Sequence, residues 1–179
     1  MKKIAVLLAH GFGLGLSPFA SGTVGTLLAL PIVWAFCRLL ETPVDGIWTF
    51  AGILESPMSL VYQGLIAVGL SLLAIPICSI AEKHYGTKDD GRIVADEYLT
   101  FPICMIGLPW NPWVLLIAFL SCRFFDITKP PPCNGLQSIG GGTGIVIDDV
   151  FASLYSLIFN HIVVWLVLAR FVELKVFSF

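Results

Sequence analysis

Four of the chain's twelve acidic residues fall within Lys88-Asp89-Asp90-Gly91-Arg92-Ile93-Val94-Ala95-Asp96-Glu97-Tyr98. Carboxylates this dense either hold a divalent cation through hard oxygen ligands or stay in water, since burying one unpaired is costly. On a helix, Asp89 with Asp96 and Asp90 with Glu97 would each share one face, being seven positions apart. Asp96 and Glu97 are the stronger candidates, because they stand at the mouth of an apolar stretch. Lys88, Asp89 and Asp90 also read as a solvated, charge-balanced loop.

Two further groups carry chemistry. In Arg123-Phe124-Phe125-Asp126-Ile127-Thr128-Lys129-Pro130 the charges recur at i, i+3 and i+6, so Arg123 and Lys129 can clamp a phosphate. Asp126 between them would orient the cations or bind metal, and the bland alternative is an anchor of snorkelling basic side chains. In Gly140-Gly141-Gly142-Thr143-Gly144-Ile145-Val146-Ile147-Asp148-Asp149 a glycine loop leads into an acidic pair. Backbone N–H groups at Gly141 and Gly142 would cradle phosphate oxygens, and Asp148 and Asp149 would hold a cation. The run lacks the Lys-Ser/Thr of a P-loop, and either aspartate also reads as a helix cap. Ser21 and Thr23 are further phosphate-contact candidates, with packing or capping as the alternative. These groups suit a metal-dependent reaction of a phosphorylated lipid headgroup. No cysteine has a correctly placed arginine for a thiol phosphatase, and His10, His84 and His161 lack the setting of a histidine nucleophile.

The elements that must position these groups are apolar helices. The 179-residue chain is 57% hydrophobic and only 12% charged, about half the usual charged fraction of a soluble domain. It reads as a single integral-membrane domain over residues 1–179. The net charge of −2 argues against a nucleic-acid partner. The five cysteines form no CxxC pair and read as small packing residues. Residues 4–16 imitate a first Rossmann strand and glycine loop, but an interfacial or re-entrant segment fits better before an apolar span. The expected spans are Val24–Leu40, which is short and carries Pro31, then Ser59–Ala81 and Val150–Ala169. Residues 41–58, without Lys or Arg, form an outside loop by the positive-inside rule. Residues 130–144 read as non-helical, with Asn160 and His161 as bundle-facing polar residues in mid-span.

Leu99–Ser121 poses the topological question. As one span it would carry residues 122–149 away from Asp96 and Glu97. Pro109-Trp110-Asn111-Pro112-Trp113 is a turn signal with interfacial tryptophans, so two short helices are expected, about 94–108 and 113–126. The fold class is therefore all-α: a polytopic bundle of four or five transmembrane helices, two of them short, plus the N-terminal segment. Most Lys and Arg then lie on the cytoplasmic side with the site.

The sequence resembles the phosphatidylglycerophosphatase A family of bacterial membrane enzymes. The likeness runs from Gly15-Leu16-Ser17-Pro18 and Gly22-Thr23-Val24-Gly25-Thr26-Leu27, through Ile93-Val94-Ala95-Asp96-Glu97-Tyr98 and the Arg123–Pro130 segment, to Gly141–Asp149. Ala95 departs from the tryptophan that members usually carry there. The resemblance implies Mg²⁺-dependent removal of the terminal phosphate from phosphatidylglycerophosphate in the inner leaflet of the bacterial cytoplasmic membrane, with the active site facing the cytoplasm. On this expectation Asp96, Glu97, Asp148 and Asp149 hold Mg²⁺, and Asp96, Glu97, Asp126 and Asp149 form the catalytic set. Arg123 and Lys129 bind phosphate. An activated water and a carboxylate nucleophile both fit. The rival class is an ion or metal transporter using Asp96, Glu97 and Asp149 within the membrane.

Overall fold

The computed structural model describes residues 2–39, 57–87, 90–136 and 139–168, and among them every regular element is helical. In chain order these are α1 (Lys2–Ala9), a 3₁₀ segment (Gly11–Leu16), α2 (Ser21–Thr26), α3 (Ala29–Leu39), α4 (Pro57–Tyr85), α5 (Ala95–Thr100) with a second 3₁₀ segment (Phe101–Met105), α6 (Pro112–Thr128), α7 (Cys133–Leu136) and α8 (Gly142–Val163) running into a π-helical turn (Val164–Leu168).

Among the described residues, two helices are long and apolar enough to cross a membrane, Pro57–Tyr85 and Gly142–Leu166. At 1.5 Å per residue they reach about 43 and 37 Å, beyond a hydrocarbon core of about 30 Å. α4 opens on Pro57, whose missing N–H costs nothing at a first helical position. Lys83 and His84 in its last turn complement the helix dipole, and Gly86, at φ 67°, takes the left-handed conformation that ends it.

The expected first span is divided. α2 has six residues and α3 eleven, so the stretch read as Val24–Leu40 is two short helices meeting around Leu27–Leu28. The turn at Pro109–Asn111 does separate two helices: Asn111 Oδ1 accepts from Trp113 N at 2.9 Å and caps α6. The last helix begins at Gly142, eight residues before the expected Val150, which sets Asp148 and Asp149 inside it. The stretch 130–144, expected to be non-helical, contains α7 and the first turn of α8. Residues 4–16 are helical in type, not a strand. The outside loop assigned to 41–58 and the charges Lys88, Asp89, Arg170 and Lys175 lie outside the described residues, apart from Pro57 and Met58, which begin α4.

Between α4 and α8 lies the segment Ala95–Met105, nearly all of it buried. Irregular backbone at this depth is tolerated where protein surrounds it and satisfies its polar groups. Asn160 Nδ2 donates to Cys104 O at 3.1 Å, the His161 ring lies 2.9 Å from Ile106 O, and Gly107 N donates to Gln63 Oε1 at 2.6 Å. Asn160 Oδ1 in turn accepts from Ser121 Oγ at 2.7 Å, and Ser121 pairs with Ser156. The polar residues within the two long helices thus terminate the folded-back segment and tie α6 to α8. Cys78, Cys104, Cys122 and Cys133 are buried and Cys37 is half-buried, none of them in a disulfide, as packing residues would be.

Candidate active site

Asp96 and Glu97 occupy the first turn of α5, where acidic groups oppose the positive end of the helix dipole. The helix starts only at Ala95, so the expected Asp90–Glu97 pairing on one helical face does not form. Asp90 instead sits in the preceding turn and forks onto Arg92, with Arg92 Nε and Nη2 each at 2.7 Å. That hydrogen bonding holds the Asp90 carboxyl at about 2. Arg92 also lies 3.7 Å above the Tyr85 ring, and Tyr85 pairs with His10. Burial and the neighbouring Arg92 push the His10 imidazole below its usual value.

A cavity of about 500 Å³ is walled by Asp96, Glu97, Arg123, Asp126, Lys129, Asp148 and Asp149, with Ala20, Ser21, Gly22, Thr23 and Gly91 at its rim. Four separated stretches of chain, within residues 20–23, 91–97, 123–129 and 145–149, therefore converge on one space. Ser21 Oγ donates to Gly91 O at 2.6 Å and ties the rim to the turn before α5.

Arg123 is the most constrained cation. Its Nη1 lies 2.8 Å from Glu97 Oε2, 3.1 Å from Asp126 Oδ2 and 3.5 Å from Thr26 Oγ1. Thr26 Oγ1 in turn lies 3.1 Å from Glu97 Oε2 and 2.8 Å from Gly22 O. The fit is close enough that a Cβ at Gly22 would stand 2.1 Å from Glu97 Oε1. Lys129, at φ 42°, ends α6 in a left-handed cap that turns its Nζ to Asp148 Oδ2 at 2.6 Å. Asp149, one position on, is buried on the same wall, and its Oδ2 has no hydrogen-bond partner.

The donor set bears on whether a divalent cation fits. Asp96, Asp148 and Asp149 line one cavity, and the unpartnered Asp149 Oδ2 is what a cation would satisfy. Among the described residues no group of three His, Cys, Asp or Glu side chains is gathered tightly enough to enclose an ion. Mg²⁺ accommodates that, being bound through one or two carboxylates, waters and substrate oxygens rather than an all-protein cage.

Of the residues singled out in the sequence, Gly141 and Gly142 do not line the cavity. Gly142 faces α4, where its N–H donates to Ser79 Oγ at 3.0 Å and an added Cβ would stand 2.2 Å from Ile75 O. Gly142 serves a close helix crossing, and the expected phosphate cradle at Gly141 and Gly142 lies away from this cavity. Thr26 and Gly22 were overlooked as partners of Glu97. Their spacing of four on α2 is an ordinary helical one, and nothing in it points to a carboxylate 71 positions away. The transporter reading finds no support, because the acids gather at one cavity, not at successive depths along a pathway.

The sequence profile of the family described as Phosphatidylglycerophosphatase A matches residues 7–164. A relative from Escherichia coli K12 named Phosphatidylglycerophosphatase A is 34% identical over 152 residues, which cover 84% of this chain and 77% of that protein. One of the same name from Haemophilus influenzae is 34% identical over 165 residues, 88% and 90% of the two chains. A third, from Bacteroides thetaiotaomicron and provisionally named a phosphatidylinositol-3-phosphatase, is 32% identical over 167 residues, 92% and 96% of the two chains. No solved structure matches this chain.

Proposed function

We propose, proceeding from the fact that this chain belongs to the phosphatidylglycerophosphatase A family, that it removes the terminal phosphate of phosphatidylglycerophosphate to leave phosphatidylglycerol. It is an enzyme of the phosphoric monoester hydrolase class. The observation that carries the reading is the cavity in which two ion-paired cations meet five carboxylates. Five against two leaves a formal charge of −3, which repels a phosphate dianion unless a divalent cation joins it. Mg²⁺ is the cation proposed, held by one or two carboxylates of the Asp96, Asp148 and Asp149 wall together with water and substrate oxygens.

When bound, Mg²⁺ would supply Lewis-acid stabilisation of charge on the phosphoryl oxygens. The protein's own part is positioning. Arg123, fixed between Glu97 and Asp126, offers guanidinium N–H groups to the phosphate without reorganising during reaction. Lys129 adds a second positive charge, steered by Asp148. A carboxylate of this wall accepts the proton of the attacking water. Glu97 thereby moves from metal ligand, as the sequence suggested, to support for Arg123. The polytopic arrangement with four or five spans, the bacterial inner membrane and a cytoplasm-facing site are part of the same proposal. It is supported by the two membrane-length helices and the fold-back of Ala95–Met105.

The test is phosphate release by purified protein from phosphatidylglycerophosphate, phosphatidate and phosphatidylinositol 3-phosphate, with Mg²⁺ and with chelator. Release chiefly from the first, abolished by chelator and by Asp96→Asn in a variant that still inserts in membranes, is the expected result. Preference for the inositol lipid would transfer the substrate assignment to the class named for the Bacteroides relative. Mg²⁺ should also raise the thermal midpoint, by about 2.7 kcal/mol of stability at a hundredfold excess over its dissociation constant. Asp149→Asn should flatten that rise.

A further inference from the structure

The polar cavity has an apolar doorstep. Ser17-Pro18-Phe19-Ala20 forms a tight turn in which Ser17 Oγ donates to Phe19 O at 2.9 Å and Phe19 N donates to Ser17 Oγ at 3.4 Å. Ala20 closes it at φ 45°, ψ 52°, a left-handed conformation that alanine seldom adopts. Strain of this kind persists where the surroundings impose it, and it collects at functional sites. Its product here is Phe19, 81% exposed, next to a residue that lines the cavity. Ile127, itself 73% exposed, lines the same cavity, with Phe124 one helical turn earlier and also exposed. One cavity is thus lined by carboxylates and cations together with the exposed Ile127, and Phe19 stands one residue from its lining.

We propose that Phe19 and Ile127 form a lipid threshold, across which the glycerol backbone and acyl chains of a membrane-resident phosphate ester leave the cavity for the bilayer. The occupant follows from continuity: only a molecule that is anionic at one end and hydrocarbon at the other matches both halves. The inference rests on the phosphatase reading and adds what selects the substrate class. A lipid phosphate gains apolar contact at the threshold, whereas a water-soluble phosphate ester with the same headgroup gains none.

The experiment compares kcat/KM on long-chain phosphatidylglycerophosphate in phosphatidylethanolamine vesicles with kcat/KM on its deacylated, water-soluble headgroup. Phe19→Ser and Ile127→Ser should lower the ratio of the two by roughly tenfold each, mainly through KM for the lipid, and Phe19→Leu should restore most of it. Equal losses on both substrates, or no loss on either, would overturn the threshold. So would a change in oligomeric state accompanying equal losses, which would make this edge an interface between copies of the chain. Inactivity of the unaltered protein on both esters would sink the phosphatase reading and the threshold with it, an outcome distinct from the others.

Discussion

Glu97 reaches Arg123 at 2.8 Å and Thr26 at 3.1 Å, and in the proposed function it is a positioning residue. Two substitutions separate that role from metal binding. Glu97→Gln should lower kcat/KM about tenfold, equal to about 1.4 kcal/mol, while leaving the Mg²⁺ concentration for half-maximal activity unchanged. Asp149→Asn should shift or abolish the Mg²⁺ response itself. A displaced Mg²⁺ midpoint for Glu97→Gln would return Glu97 to the metal shell. His10 carries a pH prediction. Its folded-state value is lowered by burial and by Arg92, so the fold prefers the neutral ring. The associated stability is fully present above the unfolded value of about 6.5 and is lost as pH falls through and below it. Thermal midpoints taken from pH 7.5 to 5 should therefore fall more steeply in the unaltered protein than in His10→Gln. At this scale the charged residues were legible in sequence, because ionic side chains in so apolar a chain must be paired or used. Their pairings were not, since Glu97 meets Arg123 only where Gly22 allows a close approach.

The helices were legible in type and imprecise in extent. Asn111 and the prolines around it signalled the break between α5 and α6 through turn and cap chemistry. The glycine run before Asp148 misled, because flexible loops and tight helix crossings both need residues without side chains. Gly142 decides between them by its surroundings. Gly142→Val should push α8 away from Ile75 and Ser79 and cost about 1–3 kcal/mol, the usual range for overpacking. Gly69→Ala, in α4 where an added Cβ meets nothing within 4 Å, is the matching control. Thermal unfolding in detergent reads both, and equal midpoints for the two variants would remove the crossing from the account.

At the scale of the whole molecule, the bundle holds its chemistry at one end and its interhelical polar bonding deep in the middle. Ser121, Ser156 and Asn160 form that middle layer, joined to Cys104 O. Asn160 is eleven residues from Asp149, about 16 Å along the helix, so a tilt of about 5° around the layer would swing Asp149 by about 1.4 Å. Displacements near 1 Å can cost on the order of a hundredfold in rate. Since helices tilt to match the bilayer around them, a tilt about this layer would couple bilayer thickness to the position of Asp149. Turnover in vesicles of graded acyl length should peak at one thickness and fall on both sides, with the optimum broadened in Asn160→Ala. A protein built this way would tune its output to the membrane whose lipid it makes.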